Sequence, residues 1–155
     1  LEKYASILGS DCPFFIQNKP ALIRGRGDII EPLGINKVKD YFIIVLNPGI
    51  HMATEEAYAN IIPGTNKPGA IREIVKSPVN EWSKVLSNDF EPYVFGEFPE
   101  IKEIKDELYR QGALFASMTG SGSSVYGIFP DRTDLKDLFP SYYYWSGNLN
   151  FGKPS

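Results

Sequence analysis

The sequence predicts an α+β fold: a ferredoxin-like antiparallel sheet with helices, preceded by a short separate segment. Three observations carry this reading. After residue 40 the order of elements is strand, helices, strand, strand, helix, strand. The run Y-F-I-I-V-L at 41–46 is purely apolar, which suggests a strand buried on both faces or central in its sheet. A polar, turn-like stretch at 34–39 breaks the pattern, so the expected domains are 1–37 and 38–155.

The elements follow in order. Leu1, Tyr4, Ala5 and Leu8 recur at helical spacing, and Gly9 is a helix stop. The chain opens mid-helix on Leu rather than Met, as if cut from something longer. Ser10-Asp11-Cys12-Pro13 reads as a cap and first turn, because Asp accepts free backbone N–H groups and Pro is tolerated there. The runs 21–24 and 28–33 flank Gly25-Arg26-Gly27 and predict a hairpin. The strand at 40–46 ends at Asn47-Pro48-Gly49. Thr54 caps a helix with Glu55 and Glu56 in its first turn, reaching residue 61. A loop follows at 63–69, and helical segments at 71–75 and 79–86 are split by Pro78. Phe98, Ile101, Ile104 and Leu108 mark an amphipathic helix that Pro99 opens and Gly112 closes. Residues 113–118 and 125–129 are strands. Leu135, Leu138 and Phe139 suggest a short helix, and 142–145 a last aromatic strand.

Composition excludes several classes of function. The 155 residues carry 16 Lys+Arg against 19 Asp+Glu, a net charge of −3, which argues against binding nucleic acid or an anionic membrane by bulk electrostatics. One cysteine, Cys12, permits no intrachain disulfide and no Cys-cluster zinc site. One histidine, His51, makes a Ser-His-Asp triad or a His-rich metal site a poor fit, and no metal site is expected. Phe and Tyr, 10 and 9 residues, are too abundant for a disordered chain.

Four groups of residues can carry chemistry. Thr119-Gly120-Ser121-Gly122-Ser123-Ser124 lies between two strands. Its glycines let backbone approach a ligand, and its N–H groups and hydroxyls can hold phosphate oxygens. The same composition also serves a plain hairpin loop. Asp11 suits a general base for a hydroxyl attacking phosphorus, while local sequence favours a helix cap, and the two roles can coexist. Arg24 and Arg26 can fork onto phosphate, or stand in solvent as hairpin residues. Tyr58, with Phe90, Tyr93 and the tyrosines at 142–144, offers an aromatic face for a base, or core packing.

Two stretches bring these signals together. L-G-S-D-C-P-F-F at 8–15, followed by A-L-I-R-G-R-G-D at 21–28 and E-P-L at 31–33, resembles the middle of the 4-diphosphocytidyl-2-C-methyl-D-erythritol kinases. M-T-G-S-G-S-S-V-Y-G-I-F at 118–129 resembles the third signature of the GHMP kinase superfamily. N-P-G-I at 47–50 with Thr54, and N-D-F-E at 88–91, are similar to segments of the same family. The resemblance runs over essentially the whole chain, in order. It departs in having no run like the family's P-x-G-x-G-L-G-G-G-S-S ATP-binding loop, nor the early lysine that pairs with the aspartate.

The resemblance implies the C-terminal half of such a kinase: the tail of the first lobe at 1–37 and the second lobe beyond it. It implies a cytoplasmic enzyme of isoprenoid biosynthesis whose full-length chain transfers phosphate from ATP to the 2-hydroxyl of a diphosphocytidyl sugar-alcohol. The small-molecule substrate is the only partner implied, with no nucleic acid and no membrane. Asp11 matches the catalytic aspartate. Tyr58 falls where an aromatic stacks on cytosine, with Thr54 nearby. Thr119, Gly120, Ser121 and Gly122 come near the phosphates and substrate. ATP with Mg is expected to be held mainly by the other half, so these 155 residues are not expected to catalyse alone. The alternatives are another GHMP kinase of homoserine or mevalonate type, or a non-catalytic ferredoxin-like binding module.

Overall fold

The computed structural model describes residues 2–9, 11–34, 37–63 and 68–149. It divides into two compact units, one running through Lys37 and the other spanning Val38–Leu149.

The first unit contains α1 (Glu2–Leu8), α2 (Cys12–Gln17) and a hairpin of β1 (Ala21–Arg24) and β2 (Ile29–Pro32). The strands pair antiparallel from Ala21 opposite Pro32 to Arg24 opposite Ile29. Gly25 and Gly27 take φ of 70° and 97° in the turn, the left-handed region where a side chain is strained. The Asp28 carboxylate accepts the Arg26 N–H at 2.9 Å. That bond, its own N–H and the Arg26 charge hold its pKa below the ordinary carboxylate range. Arg24 is paired with Glu31 across the hairpin, so it is a hairpin residue with its charge engaged. The expected apolar face of α1 is only partly buried. Ala5 is covered, while Tyr4, Ile7 and Leu8 are exposed. Two helices of 7 and 6 residues and a hairpin of 4-residue strands are too small to enclose a core.

The second unit is built on β3 (Phe42–Asn47), β4 (Phe115–Met118), β5 (Val125–Phe129) and β6 (Tyr143–Asn148). Their order is β4-β5-β3-β6 with every neighbour antiparallel, the ferredoxin-like arrangement. Between β3 and β4 lie α3 (Thr54–Asn60), α4 (Pro68–Ile74), α5 (Val79–Trp82), α6 (Glu91–Glu97) and α7 (Pro99–Arg110). Ile101, Ile104 and Leu108 of α7, with Val94 of α6, bury against Phe42, Ile44 and Leu46. Leu108 and these β3 residues fall at the spacings that put them on one helix face and one sheet face. β3 is central in its sheet, one of the two placements its apolar run allows, and Ile43 and Val45, on its other face, are half-buried. That other face is covered best over β4, where Trp82 meets Phe115 edge-on, with centroids 5.8 Å apart.

Helix ends show where local sequence decides. Gly112 takes φ 95° after α7, its N–H bonds Tyr109 at 3.0 Å, and the Ala113 N–H bonds Leu108 at 3.0 Å. This is the glycine-stopped Schellman geometry. The segment expected to be helical over 79–86 is regular only to Trp82 and continues as turns. The short helix expected near 135–139 is a single 3-10 turn, Lys136–Leu138, bracketed by Pro130 and Pro140. β6 lies at the sheet edge and leaves Tyr143 and Trp145 exposed. No helix among the described residues is long and apolar enough to cross a membrane.

Tyr126 on β5 carries a pH signature. Burial, reinforced by the Glu91 charge, pushes its phenol up to about 12. The folded state then holds a proton that the unfolded chain releases near pH 10. Stability is expected to be unaffected below pH 10 and to fall by about 2–3 kcal/mol as the pH rises toward 12. Urea unfolding across that range checks it, and Tyr126→Phe should flatten the slope.

Candidate functional site

The loop joining β4 to β5 is the most chemically loaded segment of the second unit. The Thr119 N–H bonds the Ser124 carbonyl at 2.8 Å, and the Gly122 N–H bonds the Thr119 carbonyl at 3.1 Å. The N–H groups of Gly120, Ser121 and Ser123 make no hydrogen bond among the described residues. Gly120 and Gly122 have φ of 52° and 113°. A Cβ at Gly122 would run into the Met52 methyl.

Two clamps hold the loop. On one side Asn47, at the end of β3, accepts the Gly49 N–H at 2.7 Å and donates to Ser124 Oγ at 2.8 Å. Ser123 Oγ donates to the Ile50 carbonyl at 2.7 Å. On the other side Asn88 Nδ2 donates to the carbonyls of Met118 and Gly120, at 2.9 and 2.8 Å. Glu91 of α6 is buried at 7% exposure. Its Oε1 accepts the Met118 N–H at 2.9 Å and Ser117 Oγ at 3.1 Å, and Oε2 pairs with Lys105 at 2.6 Å. A buried carboxylate needs such partners, and here the Met118 bond fixes the backbone just before the loop. The result is a preorganised row of amide donors suited to anionic oxygens. A cleft of about 540 Å³ lies beside it, walled by Trp82, Phe90, Phe115 and Tyr126 and bordered by Met118 and Gly120.

The other expected site residues divide between the units. Thr119, Gly120, Ser121 and Gly122 are on the loop. Tyr58 and Thr54 are on α3, in the same unit. Tyr58 is 63% exposed, and the Phe90 ring packs against it edge-on at 5.0 Å. Tyr93 Oη donates to Glu56 at 3.0 Å, tying α3 to α6, and that bond raises the Tyr93 pKa. Thr54 is exposed and does not cap α3. Ala53 holds the extended cap position at φ −70°, ψ 119°, and Thr54 is the first helical residue. Asp11 belongs to the first unit. It occupies the cap position of α2, but with φ −89° and ψ −13° its side chain makes no capping bond. Its carboxylate is exposed. His51 is exposed as well. Among the described residues no group of three or more His, Cys, Asp or Glu side chains is placed to hold a metal.

Residues 70–140 match the family model described as GHMP kinases C terminal. The chain carries the C-terminal domain of the GHMP kinases. A curated relative from Bacteroides thetaiotaomicron, named 4-diphosphocytidyl-2-C-methyl-D-erythritol kinase, is 52% identical over 137 residues, 88% of this chain and 49% of its own length. A relative of the same name from Parabacteroides distasonis is 43% identical, covering 97% of this chain and 55% of its own length. The crystal structure of a 4-(cytidine 5'-diphospho)-2C-methyl-D-erythritol kinase aligns with a TM-score of 0.77 at 28% identity, over 97% of this chain and 57% of that one. The chain thus spans about half the length of the curated relatives it matches. Within this GHMP kinase domain, the glycine-serine loop is held from both sides by Asn47, Asn88 and Glu91.

Proposed function

We propose that the full-length protein is an ATP-dependent kinase acting on the 2-hydroxyl of 4-diphosphocytidyl-2-C-methyl-D-erythritol, and that this chain supplies its C-terminal part. In this reading the enzyme serves the non-mevalonate isoprenoid pathway in the cytoplasm and needs no nucleic-acid or membrane partner. The observation that carries it is the clamped loop whose Gly120 and Ser121 N–H groups meet no acceptor among the described residues, in a chain whose relatives bear that enzyme's name. Phosphoryl transfer needs little covalent chemistry from protein. It needs donors fixed where charge develops and a group to manage the nucleophile's proton.

The roles follow from residue chemistry. Asp11 accepts, or electrostatically assists the departure of, the proton on the attacking hydroxyl. Its exposed carboxylate, not used to cap α2, supports that role. Thr119, Gly120, Ser121 and Gly122 contact phosphate and substrate oxygens, and Tyr58 stacks on the cytosine with Thr54 beside it. The loop's donors fit ATP phosphates, while ATP itself supplies the phosphoryl group. Mg is held mainly by ATP and by the half of the enzyme outside this chain. The first unit forms the end of the N-terminal lobe, and the chain alone is inactive.

Tyr58 gives a direct test. Base stacking on an aromatic is worth about 1–3 kcal/mol, so Tyr58→Ala in the full-length enzyme should raise the KM for the cytidyl acceptor roughly 5- to 150-fold. The KM for ATP should stay put, and Tyr58→Phe should behave like wild type. An unchanged acceptor KM in Tyr58→Ala removes the stacking role.

A further inference from the structure

Both hydrogens of the Asn88 amide are committed to the loop, to the Met118 carbonyl at 2.9 Å and the Gly120 carbonyl at 2.8 Å. Its oxygen accepts the Phe90 N–H at 2.9 Å, which fixes the amide's orientation at the entry to α6. A planar trans peptide points the C=O of one residue and the N–H of the next in opposite directions. Drawing the Met118 carbonyl toward Asn88 turns the Thr119 N–H the other way, where it closes on the Ser124 carbonyl at 2.8 Å. Drawing the Gly120 carbonyl toward Asn88 turns the Ser121 N–H away from Asn88 in the same manner. That N–H meets no acceptor among the described residues. Gly120 sits between these two peptides at φ 52°, a conformation that glycine adopts without strain.

We propose that Asn88 is a positioning residue that aims the Ser121 N–H at a phosphate oxygen of the bound reactants. The inference rests on reading the protein as a phosphoryl-transfer enzyme. Without the two donors of Asn88, the 120–121 peptide is free to rotate and the Ser121 N–H loses its fixed direction. Two phosphate sources fit the chemistry, the ATP triphosphate and the diphosphate of the cytidyl acceptor.

The test compares Asn88→Asp and Asn88→Ala in the full-length enzyme. Asn88→Asp keeps an acceptor for the Phe90 N–H but faces two carbonyls with oxygen instead of N–H. Losing a preorganised donor to a developing oxyanion costs about 10²–10³-fold in turnover, so both variants should lose kcat/KM on the order of a hundredfold. A rise confined to the KM for ATP or to that for the acceptor names the phosphate contacted, and a fall in kcat alone places the contact in the transition state. Kinetics within twofold of wild type, with only a lower melting temperature, would overturn the proposal. If the variants do not fold, the Ser121 amide signal of the ¹⁵N-labelled wild-type enzyme decides. It should move on adding Mg-ATP or the acceptor, and no movement with either overturns the proposal. If wild type turns over no acceptor, the functional reading fails by itself. The same amide signal, titrated with Mg-ATP and with inorganic pyrophosphate, then decides whether Ser121 meets phosphate.

Discussion

Asp11→Asn in the full-length enzyme should lower kcat by about 10²–10⁴-fold while leaving the melting temperature within a degree or two of wild type. The substitution is isosteric and removes only the capacity to accept a proton and the negative charge. Its structural cost should be small because the carboxylate is exposed and makes no capping bond to α2. A side chain that capped the helix would lose about 1 kcal/mol on replacement by Ala. Comparing Asp11→Asn with Asp11→Ala therefore separates chemistry from folding: both should be equally inactive, whatever the difference in their melting temperatures. Turnover within tenfold of wild type in Asp11→Asn would remove Asp11 from the proton transfer.

The largest expected effect on stability lies at Glu91. Its side chain is 9% exposed and that of Lys105 is 20% exposed, with 2.6 Å between them. Removing one partner of a buried pair costs about 3–5 kcal/mol, because the other is left uncompensated. Glu91→Ala also strands the Met118 N–H and Ser117 Oγ. Part of the loss is relieved because Lys105 reaches toward water and already lies over the Phe95 ring at 5.7 Å. A loss of about 3 kcal/mol is expected in urea unfolding of the full-length protein. Glu91→Gln keeps an acceptor for the Met118 N–H and should lose less. A loss below about 1 kcal/mol for Glu91→Ala would mean that the pair and its backbone bonds contribute little.

The strands and α7 were legible because their signals are local. The apolar run before Asn47 and the Ile101, Ile104, Leu108 spacing each specify an element without knowledge of the rest. The glycine-serine loop was legible as composition, but its supports were not. Asn47 to Ser124, Asn88 to Met118 and Glu91 to Met118 bridge 77, 30 and 27 residues. No window along the chain holds both partners. The N-P-G and N-D-F-E segments were visible as resemblances, and only the fold shows that both grip one loop. Thr54 misled because a Thr before two glutamates looks like a cap, whereas the cap is set by the extended backbone of Ala53. Tyr4 and Leu8 are exposed although the stripe lies on a helix as read, because a helical stripe says which face is apolar, not whether anything covers it.

The central claim is that this chain belongs to a kinase for the diphosphocytidyl acceptor. The most direct measurement is ATP consumption by the full-length protein with 4-diphosphocytidyl-2-C-methyl-D-erythritol, homoserine or mevalonate supplied in turn. The account predicts turnover with the cytidyl acceptor alone, abolished by Asp11→Asn. Turnover with homoserine or mevalonate instead, or with none of the three, would contradict it.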